Sequence, residues 1–285
     1  MPVRTISVRN ATFQQWETLL HNRTKRNRAG QMIVHGVRPI TLALDAQVPV
    51  HAVLVNSDGA RSRWALDSLS LARDRGAEQF HVSSELLREL AEKDDDAPEV
   101  LLIVAIPPDD PDRIRAASDL LAVALDRPSS PGNVGSILRS VDAFGGHGVF
   151  VTGHAVDPYD PRAVRASTGS IFTVPSVRLS APHDVLGWVE SGRAAGVAIQ
   201  VVGTDETGTA DVAQVDLIRP TLIVTGNETT GMSAAWRDAC DVIARIPMRG
   251  RASSLNAANA TTVMLYEADR QRRNAHEHEN LSRGP

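Results

Sequence analysis

Three short stretches, far apart along 285 residues, carry residue types suited to holding an anion and organising a proton transfer: Asn133-Val134-Gly135 followed by Arg139, Gly226-Asn227-Glu228 followed by Gly231, and Ile246-Pro247-Met248 followed by Ser254-Leu255-Asn256. Each lies where an apolar, strand-like run gives way to a Gly- or Ser-rich turn and then a helical pattern, the place where α/β proteins gather ligand contacts. On a helix opening at Pro131, Asn133 and Arg139 stand nearly two turns apart and can face one cleft at different depths. That spacing suits clamping a phosphate and its sugar. A guanidinium stays protonated far above neutrality, so Arg139 reads as a cation for a phosphate and a forming oxyanion rather than as a base. Glu228, beside a donor-rich turn, can orient a partner side chain or hold Asn133. Ser254 and Asn256 open the last helical segment, where capping accounts for one of them but not both. Outside this context Arg139 would be an ordinary helix-surface arginine, and Ile246, Met248 and Leu255 ordinary core.

The elements that must position these residues fall into two groups. The first third alternates an amphipathic stretch at 11–20, an apolar run at 32–34, a helix at 38–46, a strand at 52–55, a helix at 62–74, a strand at 80–82, a helix at 84–91 and a strand at 100–106. The segment 107–112 holds three prolines and three acids, sustains neither helix nor strand, and marks a linker. After it come strands near 120–125, 148–151, 199–202, 222–225 and 242–246, alternating with helices at 131–144, 183–194 and 253–270. The pattern is α/β, with a mostly parallel sheet flanked by helices in the second part and a small α/β unit in the first. Domains are expected at 1–112 and 113–285. The polar tail from Gln271 reads as frayed, and its His276 and His278 as solvated rather than metal-binding.

Composition sets limits. The chain fits two modest domains, with 42% hydrophobic and 22% charged residues. No apolar run reaches the roughly 18 residues of a membrane span, and residues 1–13 lack a signal-peptide core, so a cytoplasmic protein without a membrane partner is expected. The single Cys240 rules out an internal disulfide and a Cys-based zinc cluster, and reads as a small buried hydrophobe. The net charge of −4 is unevenly spread: residues 1–30 hold Arg4, Arg9, Arg23, Lys25, Arg26 and Arg28 against Glu17, which is +5, and leave −9 for the rest. That end suits a polyanion, with Arg23, Lys25, Arg26 and Arg28 as the contact run.

In order and spacing, the three stretches resemble the signature motifs of the SpoU branch of the SPOUT superfamily, RNA ribose 2′-O-methyltransferases that use S-adenosylmethionine. Asp126-Arg127-Pro128, Ser167-Thr168-Gly169 and the run 254–259 make it similar to the resistance-type members that modify a uridine in 23S rRNA. The resemblance implies a knotted C-terminal domain, a ribosomal-protein-like N-terminal RNA-binding domain, a homodimer, no metal, and plausible protection against an orthosomycin antibiotic. It implies roles at the reacting centre for Asn133, Arg139, Glu228, Ser254 and Asn256. It implies donor contacts from Val202, Gly203, Thr204, Gly226, Asn227, Glu228, Ile246, Met248, Ser254 and Leu255, and an RNA contact at Arg165. One departure is visible: many members read Ser-Leu-Asn-Val-Ser where this chain has Ala257 and Ala258. Three readings stay open beside it: a tRNA or other rRNA ribose methyltransferase, a non-catalytic RNA-binding protein of the same fold, and a nicotinamide enzyme. The last is disfavoured because Gly203 and Gly208 lack the fingerprint spacing.

Overall fold

The computed structural model describes residues 3–92, 94 and 96–282, with side chains as far as Glu277; the His278 side chain lies outside the described residues. Two compact units emerge, Met1–Pro108 with Tyr159–Thr173, and Asp109–Pro158 with Val174–Pro285. The segment 159–173, expected with the second unit, packs within the first.

In the first unit the elements run β1 (Arg4–Ile6), α1 (Ala11–His21), α2 (Arg23–Ala29), β2 (Gln31–His35), α3 (Val37–Asp45), β3 (Val50–Asn56), α4 (Arg63–Asp74), β4 (Glu78–Val82), α5 (Ser84–Ala91) and β5 (Val100–Ala105). They form a five-stranded sheet of order β1-β4-β3-β5-β2, in which β5 runs antiparallel to both its neighbours. Phe13 and Trp16 of α1 are buried in one core cluster with Phe80, Leu87 and Leu101.

The second unit holds β6 (Leu121–Asp126), α6 (Pro131–Ala143) and β7 (Gly148–Thr152); α7 (Pro161–Ser167) follows in the chain but belongs to the first unit. Then come β8 (Ser176–Leu179), α8 (Pro182–Ala194), β9 (Gln200–Thr204), β10 (Ala210–Asp211), β11 (Thr221–Thr225), α9 (Ala234–Ala239), β12 (Val242–Arg245) and α10 (Ala257–Ser282). Its seven strands pair in parallel in the order β10-β12-β9-β11-β6-β7-β8. The central strands β6 and β11 are buried at every residue, as strands covered on both faces must be, which is why they read as unbroken apolar runs. The final helix does not end near 270 but continues to Ser282. Half-buried Arg272 anchors it, donating to the carbonyls of Asp119, Leu120, Leu217 and Arg219 at 2.7–3.0 Å.

Candidate active site

The register of the parallel sheet aligns Leu125 of β6, Thr225 of β11, Thr204 of β9 and Ala244 of β12 in one row at the carboxyl ends of four adjacent strands. The loops leaving those ends enclose a cleft of about 390 Å³. Thr204 to Thr207, Thr225 to Gly231, Ile246, Met248, Ser254 and Leu255 line it, with Arg237 and the start of α10.

The second stretch is held by its own backbone and by β6. Asn227 and Gly231 exchange both main-chain hydrogen bonds, and the Asn227 amide donates to the Arg127 carbonyl at 2.7 Å. Gly226 is required by this fold-back: a Cβ there would stand 2.3 Å from the Met232 nitrogen and 2.4 Å from the Gly231 carbonyl carbon. Arg127 has a left-handed backbone, φ 53°, which costs a non-glycine residue energy and persists only where the surroundings fix it. They do so here: its guanidinium grips buried Asp126 with two nitrogens and donates to the Gly231 carbonyl at 3.1 Å, while Asp126 also accepts from the Ser233 N–H. Nothing in residue type foretold this strut.

Glu228 joins the three stretches. One carboxylate oxygen accepts from the Ser129 N–H and hydroxyl at 2.9 and 2.7 Å; the other accepts from the Ser130 N–H at 3.3 Å and the Asn133 amide at 2.8 Å. The Asn133 carbonyl oxygen in turn accepts from the Asn256 amide at 3.1 Å. Burial would raise the Glu228 pKa, yet the donors on Ser129 and Asn133 outweigh it and hold the carboxyl below its ordinary value. Asn256 is also the cap of α10, accepting from the Ala258 N–H at 2.8 Å, whereas exposed Ser254 faces the cleft.

Other expected residues lie elsewhere. Val202 and Gly203 are buried in β9 and do not line the cleft; a Cβ at Gly203 would meet the Cys240 sulfur at 2.8 Å. Desolvation pushes that thiol up to about 11, which makes it inert. Asn133 sits behind Glu228 rather than in the cleft wall. Arg139 is exposed on α6 with no hydrogen bond or ion pair among the described residues. Arg26 overturns its expected surface role: it is only 2% exposed and donates to the Leu19 and Leu20 carbonyls at the end of α1. Arg23, Lys25 and Arg28 remain on the exposed side of α2. Arg165 pairs with Glu92. Sequence reasoning missed Arg237, whose ion pair with Asp205 borders the cleft; a cation after a Ser-Ala-Ala run carries no local signal. Among the described residues no group of three His, Cys, Asp or Glu is placed to hold a metal, and no helix is long and apolar enough to cross a membrane.

The donor implied by the resemblance fits this cleft. Its volume lies in the range of small-molecule sites, and exposed Met248 and Leu255 with Ile246 offer apolar surface for a purine. Buried Thr204 Oγ1 has no hydrogen-bond partner among the described residues, and Asp205 presents a carboxylate. An orphaned polar atom at a cleft wall is a contact waiting for a ligand.

An all-parallel sheet whose strand ends carry this cleft, joined to a small α/β unit, defines the class: the chain belongs to the SpoU rRNA Methylase family, whose model matches residues 120–266, while residues 10–102 match the SpoU L30e-like domain. Among its relatives is the 23S rRNA (uridine(2479)-2′-O)-methyltransferase of Streptomyces viridochromogenes, 54% identical over 94% of this chain and 93% of that protein. The crystal structure of the SpoU methyltransferase AviRb from the same organism, in complex with AdoMet, superposes with a TM-score of 0.87 at 53% identity, covering 93% of this chain and 98% of that one. An AdoMet-bound rRNA methyltransferase from Sinorhizobium meliloti matches with a TM-score of 0.82 at 28% identity, over 93% and 98% of the two chains.

Proposed function

We propose that this protein transfers methyl from S-adenosylmethionine to the ribose 2′-oxygen of a uridine in 23S rRNA, acting as a cytoplasmic homodimer that protects the ribosome from an orthosomycin-type antibiotic. The observation that carries the chemistry is the Glu228–Asn133–Asn256 chain of hydrogen bonds, which ties all three stretches together at the cleft. The 54% identity to a 23S rRNA uridine methyltransferase supports the substrate.

The donor supplies an electrophilic methyl on a sulfonium, so the protein need not activate it. Thr204, Asp205, Ile246, Met248, Ser254 and Leu255 would hold it. What remains is to place a weakly acidic hydroxyl and stabilise the charge it develops. Glu228 does not take the proton: its pKa is held low and both its oxygens already accept hydrogen bonds. It fixes Asn133 and the start of α6 instead. Arg139, charged and unpaired nearly two turns further along α6, pairs with the phosphate of the target nucleotide and stabilises the forming alkoxide. The hydroxyl proton would pass to water or a phosphate oxygen.

Calorimetry tests the donor site. The account expects one S-adenosylmethionine per chain and no binding of NAD; NAD binding without S-adenosylmethionine binding would overturn it.

A further inference from the structure

Between Asp241 and Glu267 the chain has no acidic residue, yet Arg245, Arg249 and Arg251 fall there, so residues 242–266 carry +3 while the remainder carries −7. All three arginines are exposed, and none makes a hydrogen bond or ion pair through its side chain among the described residues. Other surface arginines, among them Arg9, Arg63, Arg162, Arg165, Arg193 and Arg273, each hold a carboxylate. The three flank cleft residues directly: Arg245 precedes Ile246, Arg249 follows Met248, and Arg251 stands three residues before Ser254. Unneutralised guanidiniums repel one another, and a loop that gathers them without acids at the mouth of a cleft suits a polyanion that neutralises them on binding.

We infer that the loop 245–251 is a phosphate clamp, in which Arg249 and Arg251 grip the backbone of the RNA strand carrying the target ribose. This rests on the RNA reading above and extends it. The basic run at 23–28, where sequence placed the RNA contacts, has lost Arg26 to the interior, so the loop beside the cleft is the stronger candidate for positioning the target nucleotide itself. Contacts of this kind set register without reading bases.

The test measures binding of a protein-free 23S rRNA transcript by the full-length wild type, R249A/R251A, R249K/R251K and the control R115A, each over a series of salt concentrations, with S-adenosylmethionine affinity taken on the same samples. Arg115 is exposed and lies outside the cleft. Losing two single-strand phosphate contacts lowers the salt slope by about 1.4 and weakens RNA binding roughly tenfold at physiological salt. The clamp predicts those changes in R249A/R251A, near-complete recovery in R249K/R251K, none in R115A, and donor affinity unchanged in all four. Unchanged RNA affinity and slope in R249A/R251A would overturn the clamp even if methyl transfer by the wild type is established. Donor affinity lost in R249A/R251A and kept in the lysine pair would assign the loop to the donor, and equally overturn it. Failure of the wild type to methylate any RNA would instead overturn the function, and is read in a separate assay.

Discussion

Glu228 shows how environment assigns a role that residue type leaves open. An exposed carboxylate beside a reacting hydroxyl is a natural base, but four donors converge on this one and hold it ionised. Glu228→Gln would set an amide N–H against at least one of those donors, so transfer should fall at least tenfold and donor affinity should weaken with the loop. The sign of the pH dependence follows. A carboxyl whose folded pKa lies below the ordinary value of about 4.3 stabilises the protein above that pH, and the contribution is lost as pH falls through the folded value. The melting-temperature gap between wild type and Glu228→Gln should therefore be constant near neutrality and shrink below about pH 4; a gap independent of pH down to 3 would deny the network its charge. Arg139 makes the opposite prediction. With no intramolecular partner among the described residues, Arg139→Ala should leave melting temperature and donor affinity nearly unchanged while abolishing transfer. Full turnover by that variant would remove Arg139 from the reaction.

At the scale of elements, buried apolar runs and long amphipathic helices were legible because many residues repeat one signal: β6, β11, α4, α5 and α6 lie within a residue or two of expectation. The elements that escaped are short or at edges. β1, β8 and β10 have three, four and two residues, and α9 has six, too few to display a period. The order in which β9 lies between β11 and β12 is a matter of tertiary pairing that no local pattern encodes. Site residues were legible where the motif itself supplies the contact, as with Glu228 and Asn256, and illegible where a contact depends on backbone conformation, as with Arg127. The basic run at 23–28 misled because periodicity does not say which side of the seven-residue α2 turns inward, and Arg26 does. Arg272 was hidden for a related reason. A polar tail reads as solvated, yet burial lowers the pKa of this guanidinium as its nitrogens satisfy four carbonyls just ahead of the central strands β6 and β11. Arg272→Ala strands those carbonyls and should cost roughly 3 kcal/mol of stability by denaturant unfolding, with transfer intact in the folded fraction. A loss under 0.5 kcal/mol would mean water replaces the guanidinium freely.

At the scale of the whole molecule, the cleft and its hydrogen-bonded motifs belong to one unit and the α1–α2 cations to the other. On the proposed reading, the same Asn133, Arg139 and Glu228 would serve any ribose delivered to them, so the target must be read from the RNA modified. The decisive measurement is transfer of labelled methyl from S-adenosylmethionine to protein-free 23S rRNA, 16S rRNA and tRNA in parallel, with the product mapped by primer extension at low nucleotide concentration. The account predicts label in 23S rRNA alone, at a single 2′-O-methyluridine. Label confined to tRNA or 16S rRNA would contradict the assigned substrate, and absence of transfer to any of the three or to intact ribosomal subunits would contradict the enzymatic reading altogether.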